Sequence, residues 1–148
     1  MASPDRLRRP DASTRNLLGR ATDRLERSIS AGVAAAGHPM RPAHGAVFTN
    51  IDSEGTRLTQ LAERALMTPQ AMAELVDDLA SLGYVRREPD PTDGRAKLIV
   101  LTDLGFEAVQ TAFDTITRLE AQLEAELGPR ALVQLRGVLQ RVIDLPEA

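Results

Sequence analysis

Asp90-Pro91-Thr92-Asp93-Gly94-Arg95-Ala96-Lys97-Leu98-Ile99-Val100-Leu101-Thr102 is the stretch whose reading decides the fold. It runs from turn-forming residues through a β-prone segment to a helix cap. Glu88 to Gly94 predicts a turn-rich hairpin tip, flanked by strands over Tyr84–Arg87 and Ala96–Leu101. Upstream, Thr68 followed by Pro69 is a helix N-cap with proline in the first turn. The helix it opens carries Met72, Leu75, Val76, Leu79 and Leu82 on one face and stops at Gly83. Before it, Thr59 is read as capping a two-turn helix through Ala65 that turns Leu61 and Ala62 inward.

Further out, helical spacing dominates. Leu17, Leu18, Ala21, Leu25, Ile29 and Val33 predict a long first helix from a Ser13 cap to Ala36, with Gly37 and Pro39 ending it. Residues 42–50, with Pro42 in the first turn, predict a short second helix closed by Asp52-Ser53-Glu54-Gly55. Thr102 caps a final long helix of 26 residues to Gly128, striped by Phe106, Val109, Phe113, Ile116, Leu123 and Leu127. Pro129 restarts a helix with Leu132, Leu135, Leu139 and Val142 inward. The order of helix, short strand, helix, turn, helix, strand, tip and strand is that of a winged helix-turn-helix. The expected class is mainly α with a small β-wing, the winged lobe being joined to long N- and C-terminal dimerisation helices. Its divisions are a flexible basic arm at 1–12, an N-terminal dimerisation helix at 13–39, the winged lobe at 40–102 and C-terminal dimerisation helices at 103–148. The terminal helices are too long for the lobe to cover, and a second copy is the simplest partner for their stripes. The alternative is a monomer in which these helices pack on one another.

Composition narrows the function. The 148 residues are 43% hydrophobic and 26% charged, a globular balance, and no apolar run approaches a membrane span. No apolar segment follows the N-terminal arginines, so no secretory signal is read and the expected compartment is the cytoplasm. Zero cysteines remove thiol catalysis, disulfides and cysteine-ligated zinc. His38 and His44 have no carboxylate cluster to complete a metal site, and no nucleophile motif or phosphate loop occurs. No enzyme, metal or cofactor is expected. The net charge of −3 hides an uneven distribution: residues 1–50 carry eight arginines against four acids, and residues 103–148 four basic side chains against eight acids. Nucleic-acid binding would therefore rest on local geometry rather than bulk charge.

The hairpin stretch and its continuation Asp103-Leu104-Gly105 resemble the wing signature of the MarR family of bacterial transcriptional regulators. So do Leu58-Thr59-Gln60-Leu61-Ala62-Glu63-Arg64-Ala65, Met67 to Leu79, and Gly83-Tyr84-Val85, so that the strong matches span about residues 57–105. The resemblance implies a homodimer with interlocked first and last helices that binds double-stranded DNA at a pseudo-palindromic operator, often under control of a small aromatic or amphipathic ligand. By family position Thr68, Pro69, Gln70 and Ala73 would face the major groove. Arg95, held by Asp93, would reach a minor groove, with Lys97 behind it. A guanidinium on a rigid hairpin suits a narrow, negative minor groove; the plainer reading of Asp93 and Arg95 is an exposed turn ion pair.

Leu17, Leu25, Phe113, Ile116, Leu123, Leu127, Leu135 and Leu139 are the expected dimer seam. His44, Phe48 and Phe106 are candidates for a cleft that would take a small aromatic or phenolic effector, although His44 also reads as a structural histidine and Phe106 as a core or seam residue. Two positions depart from the family. Glu74 stands where a basic or small residue is common, with Asp77 and Asp78 following, and Leu66 stands where the turn usually has glycine. A positive φ at position 66 would cost leucine about 1 kcal/mol. The acidic helix keeps open a second reading, a winged-helix protein-interaction or small-molecule-binding module without DNA binding.

Overall fold

The structure is a computed structural model and describes residues 13–146, so the basic arm expected at 1–12 lies outside the described residues. Helix α1 spans Thr14–Ala35 and begins where the Ser13 hydroxyl accepts the Asn16 N–H. It ends as Gly37 takes a φ of +96°. The single helix expected over 42–50 is a 3₁₀ turn, Pro42–His44, that runs into a one-turn helix α2, Gly45–Phe48. The side chains of Thr49 and Asn50 bond back to the carbonyls of Gly45 and Ala46, taking acceptors that flank the end of the helix. The short strand β1 is only Thr56–Arg57.

Helix α3 spans Leu58–Arg64, and its cap differs from expectation. Arg57, in extended conformation, is the N-cap and donates its N–H to the Gln60 side chain, so Thr59 lies inside the first turn. After the turn, α4 spans Pro69–Ser81, with the Thr68 hydroxyl accepting the Ala71 N–H at 3.2 Å. In that turn Leu66 has a φ of +54° and is 95% exposed. The strained backbone foreseen for a non-glycine at this position is present.

Strands β2, Val85–Asp90, and β3, Asp93–Leu101, form an antiparallel hairpin, and β1 adds to the other side of β3. The ladder pairs Val85 with Leu101 and Pro89 with Lys97, and shifts register between Pro89 and Asp90. The tip is therefore Pro91-Thr92, not the whole of Glu88–Gly94. Pro89 lacks an N–H but is tolerated because β2 is an edge strand.

The core lies between α3, α4 and the sheet, where Val47, Leu61, Met72, Val76, Leu79, Tyr84 and Ile99 are buried. Helix α5 spans Asp103–Leu127 and α6 spans Pro129–Ile143. The Thr102 hydroxyl accepts the Gly105 N–H and donates to the Gly83 carbonyl, joining the start of α5 to the end of α4. Gly105 lets α5 approach β2 closely, since a Cβ there would lie 2.1 Å from the Tyr84 carbonyl oxygen. Helix α1 packs along α5, with Gly32 against Thr115. This pairing leaves apolar side chains uncovered: Leu17, Phe113, Leu127 and Leu135 are exposed, and Leu25, Ile116, Leu123 and Leu139 are half-buried.

Candidate nucleic-acid interface and adjoining cleft

Two elements project from the lobe. The first is the N-terminal end of α4, where Thr68, Pro69 and Gln70 are exposed and Ala73 is half-buried. The core residues Met72, Val76 and Leu79 fix the opposite face of the helix and so set which side chains stand free. The acids beyond them are largely neutralised. Asp77 accepts from Arg87 at 2.6 Å, and Asp78 accepts from both Arg41 and His44. Glu74 forms no ion pair among the described residues.

The second element is the wing. Asp93 does not hold the Arg95 guanidinium as the sequence suggested. Its carboxylate instead accepts the Arg95 backbone N–H at 3.1 Å, and its other oxygen lies 4.0 Å from Arg57. A two-residue tip brings the carboxylate over the backbone, so it shapes the turn while the Arg95 side chain stays exposed and outside any ion pair among the described residues. Lys97 is exposed on the same strand, two residues on.

Asp90, which sequence reasoning did not single out, holds the wing. It is buried and accepts the Thr92 N–H, the Thr92 hydroxyl and the Arg57 guanidinium. The bonds from Thr92, then Arg57, lower its carboxyl from 3.8 to about 2. The local half of this arrangement, Asp-x-Thr at a turn, is a readable signal. The partner Arg57 is not, because it lies 33 positions away.

A cleft of about 130 Å³ opens between α1, the 40–49 segment and α5. Ile29, Val33, Met40, Phe48, Phe113 and Ile116 line it, with Glu26 on the α1 side and Arg41 and His44 on the other. His44 is buried. Its Nδ1 accepts the Arg41 N–H at 3.1 Å, so Nε2 carries the proton and donates to Asp78 at 2.8 Å. Both nitrogens are thus satisfied by the neutral ring. These contacts, His44 first and then Arg41, hold the Asp78 carboxyl below its ordinary value. The structure brings His44 and Phe48 together at the cleft but leaves Phe106 out of the lining, 45% exposed about one turn beyond its edge on α5. Phe113, expected at the seam, also lines the cleft wall and is 56% exposed. Spacing alone could not separate these two phenylalanines, since both belong to one helical stripe.

Taken together, a helix-turn-helix whose second helix has an exposed N-terminal end and a tethered β-hairpin define the class: a winged helix-turn-helix protein. Residues 38–96 match the model described as MarR family. An uncharacterized HTH-type transcriptional regulator of Mycobacterium leprae is 33% identical over 75 residues, covering 50% of this chain and 52% of the relative. The chain spans about half the length of the curated relatives it matches. Among solved structures, the transcriptional repressor CouR bound to a 23-mer DNA duplex matches with a TM-score of 0.73 and 24% identity, over 93% of this chain and 98% of that one. Bordetella bronchiseptica BpsR, from work on regulation of its DNA binding by 6-hydroxynicotinic acid, gives 0.71 and 17%, over 95% and 99%. Over residues 38–96 the chain is thus similar to the MarR family, and the curated relatives matched over 75 residues are named as HTH-type transcriptional regulators.

Proposed function

We propose that the chain is a sequence-specific DNA-binding transcriptional regulator, acting in the cytoplasm as a homodimer on a pseudo-palindromic operator. It represses, and a small aromatic effector in the cleft relieves that repression. The observation that carries this reading is the pairing of the exposed α4 end with a wing whose Arg95 side chain forms no ion pair among the described residues. Thr68, Pro69, Gln70 and Ala73 meet base edges in the major groove, Gln70 pairing with adenine. Arg95 enters a flanking minor groove. A DNA-bound repressor of the same fold supports the docking.

The test is affinity for promoter DNA as a function of salt. Arg95→Ala is expected to weaken binding and lower the log–log salt slope by up to about two units per dimer, with an unchanged melting temperature. Lys97→Ala has a smaller effect. Gln70→Ala relaxes preference at one position per half-site by about 1–3 kcal/mol. Equal salt slopes for wild type and Arg95→Ala would reject wing docking and favour the second reading, a winged-helix interaction module. Glu74 is the one observation on that side, as Asp77 and Asp78 are already paired.

A further inference from the structure

Nearly every polar group lining the cleft is already spoken for within the chain. The Ser30 hydroxyl donates to the Met40 carbonyl, and the Thr49 hydroxyl to the Gly45 carbonyl. Both nitrogens of His44 are engaged, and the Arg41 guanidinium rests on Asp78. Glu26 alone among the charged lining residues forms no ion pair or side-chain hydrogen bond among the described residues. It shares the cleft-facing side of α1 with Ile29, Ser30 and Val33, following helical spacing. Its Oε2 reaches across to α2, 3.5 Å from where a Cβ on Gly45 would stand. An exposed carboxylate thus hangs over an apolar bed that includes Phe48 and Phe113.

We propose that the cleft takes an organic cation, a protonated amine on a small aromatic body, with Glu26 as its counter-ion. The assignment rests on the reading of this cleft as the effector site and adds the ligand's charge. The aromatic body fills the bed between Ile29, Phe48, Phe113 and Ile116, and the ammonium meets Glu26 beside ring faces that also attract cations. An anionic ligand faces the opposite balance. It would meet Glu26 as a like charge, and it could use Arg41 only by drawing it from Asp78. A neutral phenol or alcohol falls between the two.

Titration calorimetry on the full chain decides this with three probes of similar skeleton: phenethylammonium, 2-phenylethanol and phenylacetate. Phenethylammonium is expected to bind roughly tenfold or more tighter than phenylacetate, the effect of one charge-assisted contact. Glu26→Gln, an isosteric change at an exposed position, abolishes that preference and leaves 2-phenylethanol affinity within about twofold. Phenylacetate binding more tightly than phenethylammonium, or an unchanged preference in Glu26→Gln, overturns the cation assignment and leaves the effector cleft standing. Binding of none of the three at about 10 mM overturns both. The heats are measured without DNA, so the outcome is independent of whether the lobe binds an operator.

Discussion

Leu66 occupies a backbone conformation that leucine disfavours by about 1–2 kcal/mol, and its exposed side chain recovers nothing through burial. Leu66→Gly is therefore expected to stabilise the chain by about 1 kcal/mol despite the extra freedom of glycine when unfolded. Leu66→Ala, which keeps the strain, should move the urea midpoint little. A lower midpoint for Leu66→Gly would show that the leucine side chain contributes to folding. A second residue-scale effect concerns acid. The Asp90 carboxyl, lowered from 3.8 to about 2, favours the folded state fully above its unfolded value, and the benefit is lost as pH falls from about 4 to about 2. Asp78 is lowered too and acts in the same direction. Asp90→Asn should thus be less stable than wild type at neutral pH, with a gap that narrows on acidification. Urea unfolding across that pH range checks it, and a constant gap would contradict the linkage.

At the scale of elements, most of the fold was legible because the signals were local. Ser13, Thr68 and Thr102 each accept the N–H three residues ahead, as a cap residue read in isolation suggests. The buried face of α4 follows from Met72, Val76 and Leu79 in the same way. What could not be read depended on distant partners or very short elements. The wing continues to Asp90 because Arg57 closes it from another strand, and two-residue β1 is too short to show a period. In the candidate site, His44 and Phe48 follow from where the family resemblance places a ligand cleft on the second helix, whereas Asp78 and Arg41 meet across 37 positions.

Helix junctions offer a paired test. Gly105→Ala places a methyl against the Tyr84 carbonyl and should cost about 1–3 kcal/mol as α5 lifts from the sheet. Gly137→Ala, in an open position on α6, should instead stabilise by about 0.5–1 kcal/mol. Chemical denaturation of both variants reads the two signs, and a shared sign would contradict this account of the α5 contact.

For the whole molecule, the uncovered apolar side chains argue for a second copy. Phe113 is 56% exposed, Val133 67% and Ile143 72%, along helices that α1 and the lobe leave open. Under the proposed homodimer, wild type sediments as a dimer at micromolar concentration, and Ile116→Asp dissociates and unfolds in one transition. A folded 16.1 kDa species from wild type would reject this assembly.

Under the proposed ligand control, the length of α5 would give it a mechanical role. Its 25 residues make a rod of about 37 Å that starts one residue beyond the wing and ends at Leu127. If the far end is the pivot, a tilt of about 5° swings the wing end by about 3 Å, close to the rise of one base pair. The cleft touches the rod between Val109 and Ile116, part-way along this arm. Opening it there by about 2 Å is enough to carry the lobe that far. Under the proposed effector-responsive homodimer, the helix would act as a lever with the occupant nearer the fulcrum than the load, and a ligand no larger than one ring would throw both reading heads out of step with the groove.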